Sequence, residues 1–293
     1  MTSVPEPARG RAAPFGRRFA RNWSFLGGRL GRIWRAGVLA RAWQPGRTIV
    51  LTTIAVIALA FAMAATIDVA AVSWAKELNG PLRHGFQIIT RYGKSDWLLW
   101  LSFVVCLVLF CGDWARTTRR RAAAWSEVGT IAGFLFFSVA TSGIVLNIVK
   151  QFVGRARPRL LPAEGPFSFD PFMFDYAYQS FPSGHAQVMG ALAATAIVVA
   201  PRYSIVVVLP CLAVAASRVI VSAHYPSDVL AGLALGAGFT WLYAVALAKA
   251  GAGFQFRPDG MVVARTSAIR KSGAGAMLAG LWSALAGRPD KSA

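Results

Sequence analysis

Three short polar clusters hold most of the residues in this chain that could do chemistry. In the first, Lys150 is followed after six residues by Arg157-Pro158. An ammonium and a planar guanidinium can grip phosphate oxygens together, the guanidinium bidentately. The same charges could also be flanking residues that snorkel to a membrane interface. The second cluster is Phe181-Pro-Ser-Gly-His185. Ser183 suits a helix N-cap, and Gly184 would let backbone N–H groups approach an anion at the helix start. His185 then falls in the first turn, where it could give a proton to a leaving oxygen; simple capping beside an interfacial histidine is the bland alternative. The third cluster runs from Ser217-Arg218 to His224 and Asp228. Arg218 adds a phosphate donor, and Pro226 fits the first turn of a following helix. Asp228 lies in that turn, near His224. A carboxylate that takes a proton from one ring nitrogen fixes the tautomer and frees the other nitrogen to attack. Asp228 as a mere cap beside an incidental histidine is the competing reading. His84, the third histidine, reads as a surface or interfacial residue.

The elements that must position these clusters are apolar. Charge-free runs cover 48–67, 97–112, 128–149, 186–201, 203–217 and 229–248. A stretch of about 20 apolar residues spans the roughly 30 Å hydrocarbon core, and flanking residues can lengthen the shorter runs. The expected fold is therefore an all-α membrane protein with six transmembrane helices. Helix ends alternate sides. Helix 3 ends at Lys150, helix 4 begins near Ser183, helix 5 ends at Arg218 and helix 6 begins near Asp228, so the polar clusters share one face. Residues 68–96 read as a surface segment, and 274–286 as a surface helix too short to span. Gly129-x-x-x-Gly133 and Gly232-x-x-x-Gly236 are small-residue pairs that let helices approach, though glycine is frequent in any membrane helix.

Composition agrees with a membrane protein. The 293 residues are 56% hydrophobic and 15% charged, against about 25% charged for soluble domains. Net charge is +19, but the basic residues flank hydrophobic runs, which argues against nucleic acid as a partner. Residues 1–47 carry ten arginines against Glu6. Phe15, Phe19, Trp23, Leu26, Leu30 and Trp34 recur at helical steps there, which predicts a cationic amphipathic helix lying on anionic lipid. With Arg116, Arg119, Arg120 and Arg121 in the 113–127 loop and a basic tail after Lys249, the positive-inside rule puts both termini in the cytoplasm. The site would then face the exterior or periplasm of a bacterial inner membrane. The chain divides into a basic tail (1–47), a six-helix domain (48–249) and a second basic tail (250–293). Cys106, Cys111 and Cys211 lie inside apolar runs and read as inert thiols.

The clusters resemble the motifs of the type 2 phosphatidic acid phosphatase superfamily, K-x6-RP, PSGH and SR-x5-H-x3-D. Lys150, Arg157 and Pro158 match the first, Pro182 to His185 the second, and Ser217, Arg218, His224 and Asp228 the third. The resemblance covers about 48–249, and no motif position departs from the pattern. It implies hydrolysis of a lipid phosphate in two steps. His224 would attack phosphorus to form a phosphohistidine, and Asp228 would orient it. His185 would protonate the leaving oxygen and then activate water. Lys150, Arg157, Arg218, Ser183 and the Gly184 N–H would hold the phosphate. No metal and no cofactor are implied, since three cations and a helix terminus already supply a positive field. Aromatic residues from Phe167 to Phe181 form either a lid over lipid chains or an interfacial belt. Candidate substrates are phosphatidylglycerophosphate, phosphatidate, a polyprenyl pyrophosphate and a lipid A phosphate.

Other readings remain. A lipid phosphotransferase would use the same intermediate. A serine hydrolase built on Ser183 lacks the G-x-S-x-G elbow. An anion-binding membrane protein or transporter would place its charges nearer mid-membrane.

Overall fold

A computed structural model describes residues 16–20, 22 and 47–286. Ten helices are named here: α1 (Arg47–Thr66), α2 (Asp68–Glu77), α3 (Gly80–Ile89), α4 (Asp96–Cys111), α5 (Arg119–Val153), α6 (Gly184–Val199), α7 (Ile205–Ile220), α8 (Pro226–Lys249), α9 (Ser267–Ser272) and α10 (Ala274–Ala286). A hairpin follows α8, with β1 (Phe254–Phe256) antiparallel to β2 (Val262–Ala264) and Phe254 opposite Ala264. These two strands of three residues stand beside the otherwise helical architecture expected from the sequence.

Each of the six charge-free runs lies in or nearly coincides with a helix. Among the described residues three stretches are long and apolar enough to cross a membrane: Gly80–Cys111, Arg119–Val153 and Pro226–Lys249. A fourth is the bent pair Val50–Thr66 and Asp68–Glu77, which turns by 56°. Helices α6 and α7 have 16 residues each, a rise of about 24 Å, short of the roughly 30 Å core. Residues 68–96, read as a surface segment, are mostly exposed or half-buried and largely helical. They form α2, α3 and a 3-10 turn at Thr90–Gly93, with Asn79 capping α3 by accepting from the Leu82 N–H at 3.0 Å. The charged residues Lys76, Glu77 and Arg83 hide these short helices from a search for unbroken apolar runs. The amphipathic helix expected around Phe15 to Trp34 lies mostly outside the described residues. Within it, residues 16–20 are helical, and the Phe19 ring meets Phe110 edge-on at 4.8 Å.

The core sits among α4 to α8, where Leu98, Val139, Met189, Cys211, Val214 and Val229 are buried together. Its tightest element is the crossing of α6 over α8. A Cβ on Gly236 would lie 1.9 Å from the Gln187 carbonyl oxygen, one on Gly232 2.3 Å from that of Ser183, and one on Gly190 2.2 Å from that of Leu233. Backbone meets backbone there, so the Gly232/Gly236 pair does what its spacing allows. The Gly129/Gly133 pair faces the Leu109 and Cys106 side chains of α4 more loosely. Between α5 and α6 the contact is polar: Gln187 Nε2 donates to Ser142 Oγ at 2.6 Å, and Ser142 Oγ donates to the Ser138 carbonyl at 2.5 Å. At the far end of α6 and α8 the hairpin closes a second cluster, with Phe254 fully buried 4.7 Å from the Phe134 ring. Helix α10 lies against the start of α5, where Trp125 Nε1 donates to the Met277 carbonyl at 2.8 Å. Its Leu278 and Trp282 face outward, as a surface helix requires.

The crossing makes a direct prediction. Gly236→Ala should lower stability by about 1–3 kcal/mol, the usual cost of overpacking. Gly238→Ala, where a Cβ meets nothing within 4 Å, should leave the thermal unfolding temperature in detergent unchanged or slightly raised.

Candidate active site

Four chain segments bring the predicted residues to one end of the bundle. Helix α5 runs past its charge-free stretch and ends after Lys150, at Gly154, whose φ of +58° closes the helix. The loop beyond carries Arg155 and Arg157. The end of α7 supplies Arg218, and the start of α6 supplies Ser183, Gly184 and His185. The connection into α8 supplies His224, and Asp228 lies in the first turn of α8. The α6–α8 crossing locks two of these segments together, because the Ser183 N–H donates to the Asp228 carbonyl at 3.0 Å.

His224 is 2% exposed and Asp228 is fully buried. The His224 Nδ1 lies 3.6 Å from Asp228 Oδ2. That is ion-pair reach rather than a hydrogen bond, and Nδ1 has no closer partner among the described residues. The opposite nitrogen, Nε2, lies 3.5 Å from Arg157 Nη1. One ring nitrogen therefore faces a carboxylate and the other faces the cations. Burial is the main reason that the His224 pKa is pushed down to about 4, with the Asp228 carboxylate pulling the other way. The imidazole is thus neutral at ordinary pH, with a lone pair available on one side.

Asp228 has more partners than the sequence suggested. Its Oδ2 accepts from Ser180 Oγ at 2.6 Å and from the Tyr225 N–H at 2.9 Å, while Oδ1 accepts from Arg155 Nη1 at 2.7 Å. It therefore caps α8 and faces His224 at once, so the two readings of this residue are not alternatives. The cations are gripped by carbonyls. Lys150 Nζ donates to the Gln179 carbonyl at 2.6 Å. Arg157 donates to the carbonyls of Tyr176, Gln179 and Ala223 at 2.9, 3.1 and 3.2 Å. Its guanidinium lies 3.7 Å from the centre of the Tyr176 ring and retains further N–H donors. Arg218 Nη1 donates to Thr90 Oγ1 at 2.6 Å. Ser183 takes the N-cap position of α6, but its hydroxyl makes no capping bond and is buried without a partner among the described residues. Gly184 is the first helical residue, so its N–H has no intrahelical acceptor. The His185 ring is partly buried and lies within the field of the Arg218, Lys94 and Arg157 cations, with His224 also among its neighbours. All eight predicted site residues thus converge.

Residues that sequence reasoning passed over complete the site. Gly93 backs His185, and a Cβ there would lie 2.6 Å from His185 Cδ2. Thr90 and Gly93 had been assigned to a surface segment. Arg155, two residues before Arg157, pairs with both Asp228 and Asp68. Burial opposes its charge, but the two carboxylates outweigh burial and raise its pKa. Asp68 falls in the sequence at the start of the 68–96 segment, with no motif around it. Ser180 and the Gln179 carbonyl carried no signal beyond their nearness to the PSGH stretch. Among the described residues no group of three or more His, Cys, Asp or Glu side chains could hold a metal. Phe167, Phe172, Phe174 and Tyr176 are exposed on the loop that supplies the Tyr176 and Gln179 carbonyls.

Comparison with known proteins points the same way. The PAP2 superfamily description matches residues 131–252. A lipid A 1-phosphatase of Rhizobium johnstonii is 38% identical over 191 residues, which is 65% of this chain and 78% of the relative. A lipid A 1-phosphatase of Rhizobium etli is 38% identical over 179 residues, 61% and 77% of the two chains. An undecaprenyl-diphosphatase of Sulfolobus acidocaldarius is 30% identical over 156 residues, 53% and 65%. No solved structure matches.

The Gly93 contact yields a test. Gly93→Ala should displace the His185 ring and slow phosphate release by about a hundredfold, the scale of a misplaced catalytic group.

Proposed function

The chain belongs to the PAP2 superfamily and is a metal-independent membrane phosphatase, and from this premise we propose that it removes phosphate from a lipid through a phosphohistidine on His224. The observation that carries the reading is the placement of His224, a buried neutral imidazole with Asp228 at one ring nitrogen and Arg157 at the other. In the first step the free Nε2 attacks phosphorus and the bond to the lipid oxygen breaks. His185 gives that oxygen its proton. Asp228, 3.6 Å from Nδ1, offsets the charge that grows on the ring. In the second step His185 takes a proton from water, the water oxygen bonds to phosphorus, the P–N bond breaks and inorganic phosphate leaves. Lys150, Arg157, Arg218, the Ser183 hydroxyl and the Gly184 N–H carry the charge on the non-bridging oxygens in both steps.

The substrate we favour is a lipid A phosphate at position 1, the substrate named in two relatives at 38% identity. A polyprenyl diphosphate is the second reading, favoured by the named undecaprenyl-diphosphatase relative. Both present a phosphate at the membrane surface with the lipid chains behind it. This suits a pocket at the end of a helix bundle, with exposed aromatic side chains on the adjoining loop. In this reading α6 and α7 complete six spans, both termini are cytoplasmic, and the site opens to the periplasmic or exterior face. That orientation is supported by the arginines of 1–47 and 116–121.

Purified protein should release inorganic phosphate from lipid A 1-phosphate with chelator present; loss of release with the chelator would contradict the mechanism. His224→Ala should abolish release, and denatured wild-type protein quenched during turnover should carry acid-labile phosphate on His224. Retention of the label in a second lipid would favour phosphotransfer instead. Since free His224 is neutral above about pH 4, the part of the kcat/KM profile set by this nucleophile, which reports the free enzyme, should stay flat from neutrality down to about pH 5. It should then fall as the ring takes up a proton.

A further inference from the structure

The buried end of the bundle contains a charge that the two-step chemistry does not use. Asp68 is the first residue of α2, at the 56° bend after α1, well outside the stretch 131–252 that matches the family. It is nonetheless fully buried, as is the network it enters. Its Oδ2 accepts from Arg155 Nη2 at 2.9 Å and from Ser227 Oγ at 2.5 Å, and its Oδ1 accepts from the Ser227 N–H at 3.0 Å. Arg155 Nη1 in turn donates to Ser227 Oγ and to Asp228 Oδ1, both at 2.7 Å. The Arg155 guanidinium lies 4.2 Å from the centre of the Tyr225 ring, which fixes its plane. One guanidinium is therefore shared by two carboxylates, one at the helix bend and one beside His224.

We propose that Asp68 is a positioning residue for the reaction: it holds the Arg155 guanidinium against Asp228 and cancels its charge, so that Asp228 keeps a full negative charge for the His224 ring. The proposal rests on the phosphatase reading above. Were Arg155 to meet Asp228 alone, the two would form a neutral pair. In a site closed to water such a pair would give little field to a ring that becomes cationic as the N–P bond forms. With Asp68 present the triad keeps one negative charge. The geometry also divides the two oxygens of Asp228. Arg155 occupies Oδ1, which leaves Oδ2 turned to Ser180, the Tyr225 N–H and His224. Asp68 acts on the ring through Arg155 and touches neither the ring nor the phosphate cradle.

The test uses the full-length protein in detergent, with lipid A 1-phosphate as probe and phosphatidate run in parallel. Asp68→Asn keeps an acceptor for the Ser227 N–H but removes the charge. Its kcat should fall about tenfold, with KM within about twofold of wild type, the pattern of an interaction made in the transition state. Asp68→Glu should stay faster than Asp68→Asn. The decisive variant is Asp68→Asn combined with Arg155→Met. If Asp68 works by cancelling Arg155, removing both charges should recover at least about threefold over Asp68→Asn alone. A purely structural contact would make the double variant slower still. A double variant no faster than Asp68→Asn, or an Asp68→Asn enzyme with wild-type kcat, overturns the proposal while the phosphatase reading stands. If Asp68→Asn does not fold, the double variant is read against Arg155→Met: equal kcat supports the proposal and a further loss overturns it. A wild-type protein that releases phosphate from neither of these probes nor from a polyprenyl diphosphate overturns the phosphatase reading, and the proposal with it.

Discussion

Like charges brought together out of water repel unless something between them answers their field. Lys150, Arg155, Arg157 and Arg218 are each less than a tenth exposed, and they meet at one end of the bundle. Asp228 and Asp68, both at 0% exposure, are the carboxylates within this group. Four cations against two anions leave a formal surplus of two positive charges, close to the charge of a phosphate monoester near neutrality. Backbone carbonyls of Tyr176, Gln179 and Ala223 take up part of that surplus by accepting from Arg157 and Lys150. A carbonyl satisfies a hydrogen bond without neutralising a charge. On the phosphatase reading proposed above, an entering dianion would offset the surplus that remains.

Such a cluster needs a scaffold that does not yield. The α6–α8 crossing supplies it by removing side chains altogether, since Gly190, Gly232 and Gly236 let main chain rest on main chain. Packed backbone has few alternative arrangements. The starts of the two helices, with Ser183 and His185 on one and Asp228 on the other, are therefore fixed relative to each other. Helix α5 joins them through a polar rather than an apolar contact, the Gln187–Ser142 hydrogen bond. That bond resists sliding because it has a single satisfied geometry.

Much of this was legible in the sequence, and the limits have physical causes. Unbroken apolar runs found the long helices, because burial in lipid tolerates few charges. They misjudged α5, which continues through Arg119 at one end and Lys150 at the other, since helix formation does not stop where lipid ends. The helices between 68 and 96 were missed because their charges break the runs. The hairpin at 254–264 was missed because two strands of three residues leave almost no periodic pattern. Within the site, Lys150, Arg157, His185, Arg218, His224 and Asp228 declared themselves by type and spacing. Asp68, Thr90 and Gly93 did not. Their role comes from tertiary contact, and no local spacing encodes a partner 159 residues away, as Ser227 is from Asp68.

The span of that contact bears on how the chain matures. Asp68 follows the first long helix and Ser227 opens the last one of the bundle, so synthesis reaches one long before the other. Until α8 arrives, Asp68 and Arg155 lack two of the groups that satisfy them in the finished bundle, Ser227 and Asp228, and an unpaired buried charge is costly. The growing chain therefore carries an unsettled polar joint through most of its insertion, and the arrival of α8 seals it. The same event sets Asp228 beside His224. Sealing of this joint and seating of the Asp228–His224 pair against Arg155 and Arg157 are then one step in the assembly of the bundle.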